Sequence, residues 1–269
     1  MTGEARVGTS GWVYPPWRAV FYPEGLAQRR ELGYLAEQVN SVEINGSFYA
    51  LQKPESYRRW REETPEGFVF SVKGPRFVTH MKRLKDVEGA LANFFASGVL
   101  ALEEKLGPVL WQLPQNFKYE PGVVAAFCDQ LPRTTAAAVE VGRGHEERLK
   151  GREWLHTNED RPLRYAVEVR NPDFGTPEFV ELLRDKGVAL VVADTAGKWP
   201  YFEQVTADFV YVRLHGDKEL YASGYTDEAL DKWAAKVRGW REHGDVFVYF
   251  DNDLKVRAPE DARALARRL

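Results

Sequence analysis

Short apolar runs recur along the 269 residues, beginning near Val7, Val42, Phe68, Val109, Tyr165, Val188, Phe209 and Val246, and stretches of helical character separate them. Strands and helices alternating with no second core predict an α/β fold: a single TIM-type (β/α)8 barrel over residues 1–269. A doubly wound open sheet is the rival. Against it, no G-x-G-x-x-G or P-loop follows the first run, and polar residues stand at the C-terminal end of nearly every run, as a barrel mouth requires.

Two runs carry a charge where a buried parallel strand is expected to be apolar on both faces. Glu43 sits between Val42 and Ile44, and Glu168 between Val167 and Val169. Side chains alternate along a strand, so if the valines and Ile44 face the helices, Glu43 and Asn45 face inward, as do Glu168 and Arg170. Two inward carboxylates at strand ends mark a candidate site. The competing reading is an ion-pair layer that only fills the barrel, since buried charges must be paired in any case.

The helical stretches fall at 28–39, 55–63, 84–106, 121–131, 177–186, 227–243 and 258–269. Residues 132–163, charged, partly Ala-rich and broken by Gly142, Gly144 and Gly151, read as a helical insertion before strand five, although Ala138–Val141 also fits a strand. The single cysteine, Cys128, lies on the apolar stripe Val124, Phe127, Cys128, Leu131 and reads as a core residue, which leaves no disulfide and no cysteine-rich metal site. A net charge of -3 and a pI near 6.0 argue against a protein that coats nucleic acid nonspecifically, while allowing a local basic pocket. No apolar run is long enough to cross a bilayer, and Met1–Arg6 lacks a signal-peptide core, so the expectation is a cytoplasmic protein with no membrane partner and no obligate protein partner.

The strand ends bring Ser10, Glu43, Asn45, Lys73, Gln112, Glu168, Arg170, Asp194, Arg213, His215, Asp251 and Asn252 toward one mouth, and the adjoining loops add Trp12, Phe48, Tyr49 and His80. The Gly8-Thr9-Ser10-Gly11 turn offers backbone amides as an anion nest. No cofactor is expected. Five histidines without H-E-x-x-H or H-x-H spacing exclude a histidine-rich zinc cluster, although His80 and His215 with nearby carboxylates leave room for a single divalent metal.

Gly8-Thr9-Ser10-Gly11-Trp12 with Trp17 and Phe21-Tyr22-Pro23, Val42-Glu43-Ile44-Asn45 with Phe48-Tyr49, Lys73, Thr79-His80, Gln112-Leu113-Pro114, Val167-Glu168-Val169-Arg170 and Tyr211-Val212-Arg213-Leu214-His215-Gly216 together resemble the YecE-like proteins, the domain-of-unknown-function family numbered 72. The resemblance covers nearly the whole chain and implies a TIM-type barrel. It implies no reaction, because the family's activity is unassigned. Its members commonly carry paired asparagines where this chain has Asp251-Asn252-Asp253, and the 132–163 segment is not general among them, which suggests a lid or contact surface particular to a subgroup.

The residues point first to an enzyme, of hydrolase or isomerase type, acting on a small anionic, ring-containing substrate: a phosphorylated sugar, a nucleotide or a nucleic-acid end. Lys73, Arg170 and Arg213 would hold the anion, with phosphate expected near Arg213 and His215, and Trp12, Phe48 and Tyr49 would pack on the ring. Glu43, Glu168 and His215 would move protons as the catalytic groups. On that reading Glu43→Gln removes function and leaves the thermal midpoint nearly unchanged. Two alternatives stand beside it: a glycosidase-like hydrolase using Glu43 and Glu168, and a non-catalytic protein binding nucleic acid or a metabolite.

Overall fold

The structure, a computed structural model, describes residues 2–269. Its strands are β1 (Ala5–Ser10), β2 (Ser41–Ile44), β3 (Val69–Lys73), β4 (Leu106–Gln112), β5 (Tyr165–Glu168), β6 (Ala189–Leu190), β7 (Val192–Asp194), β8 (Phe209–Leu214) and β9 (Asp245–Phe250). All pair in parallel, in the order β6-β5-β4-β3-β2-β1-β9-β8-β7. β6 and β7 are separated only by Val191, whose N–H still donates to the Val167 carbonyl at 3.0 Å. The two pieces are one barrel strand with a seam in it, pairing with β5 on one side and β8 on the other, so the sheet closes as a TIM-type barrel.

The helices are α1 (Glu31–Ala36), α2 (Gly46–Tyr49), α3 (Pro54–Glu62), α4 (Glu88–Ala96), α5 (Pro121–Gln130), α6 (Thr135–Gly142), α7 (Pro177–Lys186), α8 (Asp227–Arg241) and α9 (Ala258–Ala266). Local chemistry sets their starts. Thr134, Thr176 and Thr226 cap α6, α7 and α8 by accepting the N–H of Ala137, Phe179 and Ala229. Proline in the first turn of α3, α5, α7 and α9 sacrifices no intrahelical bond.

Two local expectations change, and one connection departs from the alternation of strand and helix. The 84–106 stretch breaks at Gly98, which takes φ 112 and has Pro54 Cα 2.5 Å from where a β-carbon would lie; beyond it the chain continues as a tight helical turn, Val99–Lys105, before β4. Ala138–Val141 is helical rather than extended, because the Thr134 cap and the alanine run start α6, which then packs on α4. Residues 195–208, between β7 and β8, contain no helix at all.

Two apolar layers result. Val42, Ile44, Val167 and Val169 join the large cluster between sheet and helices, while Leu110, Ala166, Val191, Phe209, Tyr211, Phe247 and Tyr249 fill the barrel's inside. Cys128 is fully buried in the outer layer, and burial pushes its thiol up to about 11.

Candidate functional site

The inner faces of the strands become progressively more polar toward their C-terminal ends. Phe209 and Phe247 meet edge to face at 5.8 Å, and above them the Tyr249 hydroxyl lies 2.7 Å from both Ser41 Oγ and Ser71 Oγ. Next comes Arg213 of β8, with none of its side chain exposed. Its Nε–H donates to Glu43 Oε2 at 3.1 Å, and Nη1 donates to Glu168 Oε2 at 2.7 Å with His215 Nε2 at 3.5 Å. Nη2 reaches Ser10 Oγ and Glu43 Oε1 at 2.9 Å and Asp251 Oδ2 at 3.0 Å. A guanidinium has five N–H donors in a fixed fork. All of them are occupied.

Glu43 is equally committed. Besides Arg213 it accepts from Ser10 Oγ at Oε1 and from Tyr211 Oη at Oε2, the latter at 2.6 Å. Glu168 also accepts from Arg170 Nε at 2.7 Å, and Arg170 stacks 3.7 Å above the Trp199 ring. Burial works against the charge of Glu168, but Arg170 and Arg213 outweigh it and hold the carboxyl well below its ordinary range. Asp251 behaves likewise: opposed by burial, favoured by Arg213 and His215, it is drawn down to about 2. His215 Nδ1 lies 3.0 Å from Asp251 Oδ2, and its proximity is part of what draws that carboxyl down. Burial and the opposing charges of Glu43, Asp251 and Glu168 act in opposite senses on Arg213, and the carboxylates win, holding its pKa well above the ordinary value.

Lys73, ending β3, differs from the other two mouth cations. It is 8% exposed, its Nζ stands 4.3 Å over the Phe48 ring, and among the described residues no carboxylate lies within ion-pair distance of it. Burial, then the like charge of Arg213, lowers its pKa to about 8. Gly74 makes this placement possible, because a β-carbon there would fall 2.3 Å from the Trp111 ring that packs beneath the strand end. His80 closes the cluster, edge to face with Phe48 at 5.2 Å, its pKa lowered to about 4 by burial and by Lys73 and Arg76. Among the described residues no group of three or more His, Cys, Asp or Glu side chains is placed to hold a metal ion.

With fold and site in view, similarity to known proteins becomes decisive. Residues 6–269 match the family described as Protein of unknown function DUF72. This chain is a member of the DUF72 family. The UPF0759 protein YecE of Escherichia coli strain K12 is 26% identical over 261 residues, covering 94% of this chain and 88% of that protein. The UPF0759 protein YunF of Bacillus subtilis is also 26% identical, over 96% of this chain and 92% of its own length. Among solved structures, a DUF72 family protein from Thermotoga maritima superposes with a TM-score of 0.77 at 27% identity, covering 98% of both chains. Another, from Enterococcus faecalis, gives 0.75 at 17%. The YecE-like resemblance of the motifs and the TIM-type barrel both stand.

In this DUF72 member, Ser10, Glu43, Lys73, Glu168, Arg170, Arg213, His215 and Asp251 are joined by direct contacts or by the charges they exert on one another. Gln112 is buried at the end of β4, and Asn45, between β2 and α2, has its Oδ1 buried and without a partner among the described residues. Several expected members lie elsewhere. Trp12 packs edge to face on Trp60 of α3, at 5.2 Å, within the outer core. Asn252 turns away to donate to Asp261 Oδ2 at 2.8 Å and to the Ser223 carbonyl, tying the β9 end to α9. Asp194 accepts from Tyr225 Oη at 3.0 Å, and burial raises its pKa. Tyr49 is 73% exposed on the rim.

The geometry bears on two expected roles. Every Arg213 nitrogen already donates to a protein acceptor, which opposes the expectation that this guanidinium receives a phosphate. The Gly8–Gly11 nest is likewise spent, since Gly8, Thr9 and Ser10 pair within the sheet and the Gly11 N–H donates to the Glu43 carbonyl at 2.8 Å. Tyr211, Trp199 and Tyr221 were not among the expected site residues. Tyr211 alternates with Arg213 and was readable from strand parity, whereas Tyr221, held at φ 62 with its ring 5.4 Å from that of His215, sits in a loop with no periodic signal.

Proposed function

We propose that the mouth is the site of an enzyme acting on a small anionic, ring-containing substrate by acid/base or hydrolytic chemistry, with Lys73 as the group that receives the anion. The observation that carries this reading is the asymmetry among the cations: Arg213 and Arg170 are paired with carboxylates, and Lys73 is not. A buried ammonium without a partner is costly, and an incoming phosphate or carboxylate would relieve it. Arg170 would flank the anion, Phe48 would shape the apolar side, and His80, neutral at physiological pH, would accept a proton. Glu43 and Glu168 then act by holding Arg213, not as a glycosidase pair, because both are fully buried and bonded to the same guanidinium.

The test is calorimetric titration with inorganic phosphate and ribose 5-phosphate at several pH values, on the wild type and Lys73→Met. Binding by the wild type that weakens as pH rises past about 8, and that Lys73→Met abolishes, is the expected result. Equal affinity in the variant would remove Lys73 from the site.

A further inference from the structure

Beside the mouth, with Phe48 in its wall, lies a groove of about 860 Å³. Phe48 and Tyr49 form one wall, Arg76, Phe77 and Met81 a second, and the 146–152 stretch of the segment after α6 a third. Tyr49, Phe77 and Met81 expose 73%, 41% and 65% of their surface, a concentration of apolar side chains that soluble surfaces seldom leave open without a use. The charge is equally one-sided. Arg76, Arg148 and Arg152 stand against Glu146 alone, and Arg148 pairs with that carboxylate at 2.7 Å, leaving Arg76 and Arg152 without a carboxylate partner among the described residues. This is a basic patch on a chain whose net charge is -3.

A second, independent feature lies in the lining. Asn93 of α4 is 1% exposed, and its Oδ1 accepts the Glu146 N–H at 2.9 Å, while Nδ2 has no acceptor among the described residues. A buried amide donor left unmatched costs stability unless something supplies the acceptor. Aromatic faces beside guanidinium groups and an unfilled amide donor match a planar base carrying phosphate: the base stacks on an aromatic ring and the phosphate takes the forked donors.

We infer that this groove binds a nucleotide, its base against Tyr49 and Phe77, its phosphate on Arg76 and Arg152, and Phe48 joining it to the mouth. The same chemistry arises from a free nucleotide and from the end of a single strand. The inference rests on the anionic-substrate reading only for the link to Lys73; the groove's affinity stands on its own residues. The volume exceeds what a single small anion needs and lies within the range of organic-ligand sites.

The experiment measures binding of AMP, of a 5′-phosphorylated hexathymidylate and of inorganic phosphate to the full chain, with Tyr49→Ala, the Arg76→Ala/Arg152→Ala pair and Lys73→Met as variants. The substituted groove residues are exposed, and thermal melts confirm that each variant is folded. The arginine pair is expected to weaken AMP and the oligonucleotide by about tenfold or more. Tyr49→Ala is expected to weaken both about fivefold or more while leaving inorganic phosphate unchanged. An oligonucleotide bound far more tightly than AMP identifies a strand as the source; comparable affinities identify the free nucleotide. Loss of phosphate binding in Lys73→Met with AMP binding retained would separate mouth from groove. AMP binding untouched by Lys73→Met and phosphate binding absent in the wild type would sink the mouth reading and leave the groove standing. Wild-type affinity for neither nucleotide, or affinity that survives the arginine pair intact, overturns the inference.

Discussion

Arg213 shows how far one side chain organises this molecule. Removing it strips Glu43 of its ionic partner, takes from Asp251 its arginine and leaves Glu168 with Arg170 alone, and breaking a buried ionic network in this way costs about 3–5 kcal/mol. Arg213→Ala should therefore lower the thermal midpoint sharply or abolish folding. Glu43→Gln should also destabilise, contrary to the expectation for a carboxylate that touches substrate, because every acceptor site on Glu43 is filled and an amide presents a donor to Arg213. A thermal melt of both variants decides the matter; a Glu43→Gln midpoint equal to wild type would return that carboxylate to the list of reactive groups. Lys73 is the converse case. Its folded pKa of about 8 lies below its unfolded value of 10.5, so between those limits the unfolded chain binds the extra proton and stability rises with pH. The charged form costs about 3 kcal/mol at neutral pH on this basis. Lys73→Met should raise the melting temperature at pH 7 and remove the gain that the wild type shows on going from pH 8 to 10; an unchanged midpoint would mean that the ammonium has a partner in solution.

At the scale of elements, the strand ends are held by close packing that side-chain chemistry alone does not reveal. Gly74 follows Lys73 and lies against the Trp111 ring, so Gly74→Ala forces a β-carbon into occupied space. Overpacking of this kind typically costs about 1–3 kcal/mol. Because the displaced element carries Lys73, anion affinity should fall together with stability, which urea denaturation and the phosphate titration measure side by side. Stability lost with affinity intact would show that β3 relaxes without moving the lysine. The seam at Val191 and the helix-free 195–208 connection belong to this scale as well. There the barrel is covered by an irregular segment in place of a helix, with Tyr201 and Val205 partly exposed.

Across the whole molecule, β1, β8 and β9 form the most continuous stretch of paired strands, with long registers on both sides of β9. Hydrogen exchange should be slowest there and fastest in 146–152 and 195–208, where the backbone is exposed and few ladder bonds are made. Ligand in the groove should slow exchange in 146–152 in particular. Uniform protection across these regions would contradict this ordering. Relatives at 26–27% identity align over more than nine-tenths of this chain. The barrel is thus the common frame, and among the described residues no helix is long and apolar enough to cross a membrane.

The order of strands and helices and the inward parity of Glu43, Glu168 and Arg213 were readable from the sequence, because alternation along a strand is a local property that burial on both faces makes visible. The motif resemblance to the YecE-like proteins was readable for the same reason: it is written in contiguous residues. Which charges consume one another was not. Arg213 and Lys73 look alike as basic residues at strand ends, and only the closed barrel, which sets Arg213 against three carboxylates and Lys73 over a phenyl ring, decides that one is spent and the other open. The groove is further still from the sequence. Its walls come from residues 48–51, 75–93 and 146–152, and no periodicity in any one of them records that the other two will fold beside it.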